Sequence, residues 1–386
     1  MRVLVLGGGY AGLALTRRLE DRLPPDVELL LVDDTGEHLV LHELHRAIRR
    51  PSIVEAISIP LADVTYRADV RTGTVAEIDA DERVVTLADG EQLEYDIGAV
   101  CLGAETADYG IPGVEEHGTP LKTVADAETI REEFLDVLER SGDRVVIGGA
   151  GLSGIQVAGE LAALAREQLG DTDDGPELCL LEQKTSVAPG FDAEFQDAIE
   201  NALRESGVDI RTESVVAGAS EDAVELAAGE RIECDQFVWT GGITGRTALD
   251  GERPVVRKTL RLADRTFVLG DAARVVDAEG RRVPASAQAA VREAAVVAES
   301  MVRLVEHDRR AAELFVPRPE PFRFDSPGWV VSVGDDAVAQ IGPAVLTGRA
   351  AVAAKATTGA SYLGSVGAVG RAVDLVYEEL GPPPSE

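Results

Sequence analysis

Lysine is almost missing from this 386-residue chain. Only Lys122, Lys184, Lys258 and Lys355 are present, and arginine supplies nearly all the positive charge. With 37 basic residues against 69 acidic ones, the formal charge is −32. Such a surface lacks the basic footprint of a nucleic-acid-binding protein. The acids are scattered rather than gathered into a tail, so they read as a solvated, halophile-like surface suited to a salty cytoplasm that screens self-repulsion. Cysteine is scarce as well. Cys101, Cys179 and Cys234 form no CxxC pair. An odd count without close spacing excludes a disulfide framework and a dithiol redox centre. Each lies in or beside an apolar strand and reads as a small buried hydrophobe. No apolar run reaches the roughly 18 residues that a membrane span needs. The N-terminal apolar stretch is broken by glycines and does not read as a secretory leader. The expected location is cytoplasmic.

Glycine, in contrast, is placed with care. Val5-Leu6-Gly7-Gly8-Gly9-Tyr10-Ala11-Gly12 reads as a buried strand, a tight turn and a helix start. Val146-Ile147-Gly148-Gly149-Ala150-Gly151-Leu152-Ser153-Gly154 repeats the device. In the G-x-G-x-x-G pattern, Gly7 and Gly149 allow the sharp turn. Gly9 and Gly151 let the backbone approach a pyrophosphate, and Gly12 and Gly154 let helix and strand pack closely. The phosphates would sit on free N–H groups at the helix N-terminus, where the helix dipole favours negative charge. Each turn is followed by a strand ending in a carboxylate, Asp33 in the first case and Glu182 in the second, placed to accept hydrogen bonds from ribose hydroxyls. Glu182 would repel a 2′-phosphate, which favours NAD over NADP, although Lys184 stands close by. The longer spacing to Glu182 is accounted for by a polar surface loop over 170–176. Two such turns in one chain predict two nucleotide cofactors face to face, with electrons passing between them.

Both halves follow one plan, which implies an internal duplication. After the first β-α-β unit, the stretch from Val70 to Ile97 alternates as a short β-meander, and a buried strand 97–102 leaves through Gly103-Ala104. Helices are expected over 129–139, 155–167 and 192–206. A second meander spans 224–234, and the strand 236–240 leaves through Gly241-Gly242. The run 266–269 ends in Gly270-Asp271, a fixed carboxylate that can hold a polyol chain. A helix is expected over 283–304, carrying Ala287 and Gln288 near its start. Strands are expected at 322–324 and 329–334, with helices of small residues to the end.

These residues make the chain resemble the two-dinucleotide-domain flavoproteins, and among them the type II NADH dehydrogenases, the single-subunit NADH:quinone oxidoreductases. The resemblance covers nearly the whole chain. It implies an α/β fold of two Rossmann-like dinucleotide-binding domains, one for FAD and one for NAD, with a small C-terminal α+β segment. The FAD domain would be 1–110 plus 243–316, the NAD(P)H domain 111–242, and the C-terminal segment 317–386. It assigns Gly7, Gly9, Tyr10, Ala11, Gly12, Asp33, Gly103, Ala104, Gly270, Asp271, Ala287 and Gln288 to tightly bound FAD. It assigns Gly149, Gly151, Gly154, Glu182, Gly241 and Gly242 to NADH as substrate. Lys122, Gln156 and Gln288 are the catalytic candidates beside the flavin ring, and no metal is implied. The implied reaction is hydride transfer from NADH to flavin, then delivery to a quinone. Further expectations are a homodimer and a weak peripheral contact of the C-terminus with the inner face of the cell membrane.

Three departures from the family pattern stand out. Gln156 stands where a glutamate is usual, and an amide cannot take a proton as a carboxylate does. Arg292 and Ala294 replace a glutamine and a glycine. The C-terminal helices, as in 350–356, are small and mild rather than strongly amphipathic. The alternatives on the same residues are a sulfide:quinone oxidoreductase, which needs reactive cysteines near the flavin, and a low-turnover flavin- or nucleotide-binding redox sensor. His38, His42 and His45 cluster after the Asp33 strand. They lack further metal ligands and read as polar packing, with His42 as an alternative flavin-side proton relay.

Overall fold

The apolar run after Arg2 becomes the strand Arg2–Leu6, buried along its length beyond the first residue. That pattern suits a parallel strand covered on both faces. It lies between Glu28–Asp33 and Ile97–Val100, parallel to both. The complete sheet runs in the order 261–263, 266–268, 97–100, 2–6, 28–33, 69–72, and only the edge strand Arg261–Ala263 is antiparallel. Helices Tyr10–Glu20 and Ala287–Arg309 pack against each other beside it. This computed structural model describes residues 1–170, 175–310 and 316–380. Part of the predicted loop over 170–176, residues 171–174, and the last residues of the C-terminal segment lie outside the described residues.

A second, four-stranded parallel sheet runs in the order 208–211, 177–181, 144–148, 236–239. Each sheet has its own three-stranded meander, 75–94 in the first case and 216–233 in the second. The two chain crossings between the sheets are tied by a short ribbon, Glu105–Thr106 against Ile243–Thr244. The architecture is thus α/β, with two Rossmann-like units.

Local signals account for where the elements differ from expectation. Residues 69–72 leave the meander and form the edge of the large sheet. The strand Val216–Ser220, rich in small residues, carries little strand signal. Helix Val124–Glu139 starts five residues earlier than 129 because Thr123 and Asp126 form a capping box. The helix expected from 283 starts only at Ala287, after Pro284, where the Ser286 hydroxyl caps Ala289 N–H. The helices expected over 155–167 and 192–206 run Leu152–Leu169 and Ala193–Glu205. Residues 322–324 are not a strand. Phe322 is instead pinned singly, its N–H to the Lys258 carbonyl and its carbonyl to Ala278 N–H, with its ring buried.

The C-terminal segment is an antiparallel sheet, Gly328–Val333, Asp336–Ile341 and Ala344–Thr347, under helix Gly348–Ser365, against which helix Val369–Leu380 packs in turn. Among the described residues no helix is long and apolar enough to cross a membrane.

Candidate active site

Both glycine turns have the same backbone. Gly7 adopts φ +96° and Gly149 φ +98°, a region that side chains avoid. A Cβ on Gly7 would stand 2.4 Å from the Cys101 carbonyl oxygen, and one on Gly149 2.9 Å from Gly241 Cα. A Cβ on Gly12 would lie 1.7 Å from the Gly7 carbonyl oxygen, and one on Gly154 1.9 Å from that of Gly149. The central glycines differ: nothing lies within 4 Å of a Cβ built on Gly9 or Gly151. The outer glycines are therefore demanded by the protein's own backbone, whereas the central ones border open space. Neither helix start, at Gly9 or Gly151, has a side-chain cap. The first-turn N–H groups, including those of Tyr10 and Ala11, lack intrahelical partners and can take an anion. Both cradles fit the pyrophosphate of a dinucleotide.

The two strand-end carboxylates brace these turns. Asp33 is buried, takes Gly8 N–H at 2.7 Å on one oxygen, and takes Thr35 and Gly36 N–H at 2.9 Å on the other. Glu182 takes Ala150 N–H at 3.0 Å and Lys184 N–H at 2.9 Å. Two carboxylate oxygens offer about four acceptor sites, so Glu182 keeps capacity for a ribose diol.

A cavity of about 300 Å³ opens beside the second turn, bordered by Lys122, Gly151, Ser153, Gly242 and Trp329. Gly241 and Gly242 are pressed by aromatic neighbours: a Cβ would stand 2.1 Å from the Trp239 ring or from the Tyr109 hydroxyl, respectively. Gly103, at φ +72°, and Ala104 turn the chain into the connecting ribbon. Burial pushes the Lys122 ammonium pKa down, and Asp271 is the leading charge that opposes this.

Gly270-Asp271 ends its strand where two helices begin. A Cβ on Gly270 would meet Ala11 at 3.0 Å and Ala290 at 3.6 Å. Arg253 fixes the turn by donating to the Asp271 and Ala273 carbonyls at 2.6 and 2.8 Å. Gln288, one residue into its helix after Ala287, donates to the Gly328 carbonyl at 3.2 Å, and Arg292 donates back to it. Gln156 reaches the Ser332 hydroxyl at 3.5 Å. Gln288 and Gln156 are tied to one strand, Gly328–Val333, at Gly328 and Ser332, and Lys122 borders the same cavity as its Trp329; the sequence placed this strand but did not assign it to the site. The missed signal is Trp329, one of only two tryptophans.

His38 and His42 pack against the same two rings, Tyr10 and Tyr362, whereas His45 reaches the C-terminal sheet. His38 donates from Nδ1 to the Gly8 carbonyl at 2.9 Å, which leaves Nε2 to accept from the Tyr362 hydroxyl at 2.7 Å. Burial pushes its pKa down to about 4, so it is neutral at pH 7. His42 Nδ1 pairs with the Tyr10 hydroxyl, and His45 Nε2 with the Ser332 hydroxyl at 2.7 Å. Together they fasten the first glycine turn to the C-terminal segment. Beside them Arg49 binds Glu160 at 2.8 Å, Glu167 at 3.1 Å and Asp335 at 2.8 Å. All three cysteines are buried. Burial pushes the Cys179 thiol up to about 12 and Cys234 up to about 11, and raises Cys101 further. These are packing cysteines, not nucleophiles.

Residues 1–294 match the model of the pyridine nucleotide-disulphide oxidoreductase family. The chain belongs to this family. Within it the similarity runs to the type II NADH dehydrogenases. An NADH dehydrogenase-like protein of Mycobacterium tuberculosis is 31% identical over 275 residues, 67% of this chain and 66% of that protein. That match therefore spans just under two thirds of the relative's own length. The type II NADH:quinone oxidoreductase of Staphylococcus haemolyticus is 24% identical over 400 residues, covering 96% of this chain and 97% of that one. In three dimensions the chain superposes on NDH2 from Plasmodium falciparum, solved in complex with NADH, with a TM-score of 0.82 at 14% identity, over 100% of this chain and 99% of that one. The sulfide:quinone oxidoreductase of Aquifex aeolicus follows at 0.78 and 18% identity, over 99% and 96%. Both structures share the fold.

Proposed function

We propose that this protein is an FAD-dependent NADH oxidoreductase that delivers electrons to a quinone-type acceptor. The observation that carries this reading is the pair of glycine turns whose outer positions are closed by backbone and whose central positions stand open. The first cradle, in the unit formed by 1–110 and 243–316, would hold FAD through Gly7, Gly9, Tyr10, Ala11, Gly12 and Asp33. Gly103 and Ala104, with Gly270, Asp271, Ala287 and Gln288, complete that unit's wall. The second cradle, in 111–242, would admit NADH through Gly149, Gly151, Gly154, Glu182, Gly241 and Gly242. Segment 317–386 closes the acceptor side. FAD, when bound, supplies hydride acceptance and electron release.

The chain's own residues bind, orient and exclude water. Backbone N–H groups of the two helix starts hold the phosphates. Trp239 and Trp329 shield the cavity, and Lys122, Gln156 and Gln288 are the polar groups available to orient the reacting partners. Gln156 has no proton to give or take at neutral pH, so it positions only. The exposed Val369 and Val373 in the last helix support a light contact with the inner membrane face.

NADH added anaerobically is expected to bleach the flavin absorbance, which a menaquinone or ubiquinone analogue then restores. Bleaching by sulfide but not by NADH would favour the sulfide alternative, which the buried, raised thiols do not support. Bleaching by neither would favour a sensor. Glu182→Ala is expected to raise KM for NADH by roughly 10- to 100-fold, the range for losing hydrogen bonds to a charged group, and to narrow the preference over NADPH. An unchanged NADH/NADPH ratio of kcat/KM would remove the ribose role.

A further inference from the structure

Glu293 is a carboxyl group that the reading above leaves without a task. It sits on helix Ala287–Arg309 in the apolar stripe Ala289, Ala290, Ala294, Val297 and is 2% exposed. One of its oxygens accepts Gly270 N–H at 2.6 Å, at the head of the Gly270-Asp271 turn. It lines one small crevice with Asp271, Arg253 and Ser286. The charged and titratable groups facing it are Asp271 from the turn, Arg253 from the loop behind the turn, and Cys101 from the end of the neighbouring strand. Arg292, next to it, is drawn away to Gln288. Arg253 gives the only positive charge among these, and two of its N–H groups are engaged by the carbonyls of Asp271 and Ala273.

An ionised Glu293 would therefore be a buried anion beside the half-buried Asp271, in the unit proposed to receive a pyrophosphate. Placing a dinucleotide there excludes water and adds further negative charge. Both effects favour the neutral carboxylic acid.

We propose that Glu293 is a proton-carrying member of the FAD cradle, so that binding the dinucleotide is linked to uptake of one proton at this carboxyl group. The inference rests on the FAD assignment of the first glycine turn. One oxygen holds the Gly270-Asp271 turn and the proton rides on the other. The same burial already pushes the Glu293 pKa up to about 7 in the chain itself. Below that value FAD enters a cradle that is already protonated. Above it each binding event must draw a proton from solvent, which weakens affinity by about tenfold per pH unit.

The test is FAD release from the holoprotein on dilution, followed by flavin fluorescence between about pH 6 and 9. For the wild type, retention is expected to fall steeply above about pH 7. Glu293→Gln keeps an oxygen for Gly270 N–H and cannot ionise. It is expected to give a flat profile and to hold FAD at least about tenfold tighter than the wild type at the alkaline end. A flat wild-type profile overturns the proposal, whether or not the variant folds. So does a variant with the wild-type slope. A wild-type chain that is colourless and takes up no added FAD would instead sink the dinucleotide reading itself.

Discussion

Gly9→Ala is expected to yield protein that folds normally but retains little flavin, whereas Gly12→Ala is expected to lose the fold as well. Gly9 has φ −66°, which alanine adopts freely, and a methyl there meets no protein atom. Only what passes through that space can feel it. We expect the melting temperature of the apoprotein to stay within the range of a neutral surface change, about 0.5 kcal/mol, and FAD affinity to fall at least tenfold, about 1.4 kcal/mol. At Gly12 the methyl would sit 1.7 Å from the Gly7 carbonyl oxygen and 3.3 Å from Cys101 Cβ. Helix Tyr10–Glu20 cannot back away, because helix Ala287–Arg309 packs against it. Overpacking normally costs about 1–3 kcal/mol, and a clash with rigid backbone belongs at or above the top of that range. Denaturant melts and the ratio of flavin to protein absorbance separate the two outcomes. A Gly9→Ala protein as yellow as the wild type would show that no pyrophosphate lies at the first turn.

Arg49→Ala should be the most destabilising change away from the glycine turns. Arg49 and Glu160 are both buried, and the guanidinium also ties Glu167 and Asp335. Removing it takes from buried Glu160 the guanidinium that binds it at 2.8 Å and leaves the more distant charges of Lys355 and Arg46, a loss of about 3–5 kcal/mol for a broken buried pair. The loss should depend on pH. Burial already holds the Glu160 pKa above its ordinary value, with Arg49 the first opposing influence. Without Arg49 the folded-state value rises further. A carboxyl raised in the folded state contributes stability that is present below its unfolded pKa and is lost as pH rises through the folded one. The variant should therefore approach wild-type stability near about pH 4 and fall furthest behind at neutral pH and above. Combining Arg49→Met with Glu160→Gln should recover much of the deficit. A deficit below about 1 kcal/mol, or one independent of pH, would mean that this pair is solvated in solution.

How much of this was legible beforehand depended on whether the signal was local. Glycine spacing and the carboxylates at strand ends are encoded within a few residues, so both turns and the central strands of both sheets could be read directly, whereas the edge strands 69–72, 208–211 and 261–263 could not. Boundaries that obey capping chemistry, at Thr123 and Ser286, were legible in principle but were obscured by the stronger apolar periodicity that follows. Residues 322–324 alternate like a strand, yet no neighbour offers them a ladder. Glu293 leaves one trace, an acid set into an alanine stripe. Its closeness to Asp271 is a contact across sequence that no local pattern contains. The same holds for Ser332 with His45 and for Arg49 with Asp335. These polar links join elements far apart in the chain, and only the fold brings them together.

The interleaving of the two sheets bears on how the molecule comes into being. Strand Thr266–Val268 lies directly against Ile97–Val100, yet the whole of the second parallel sheet is built from residues between them. On a ribosome the first unit must wait, with a strand edge bare, until the whole inserted unit has emerged. The protein therefore cannot ripen from one end to the other. Its first cradle is begun before the inserted unit and finished after it, and flavin supplied too early would find no complete wall to rest on.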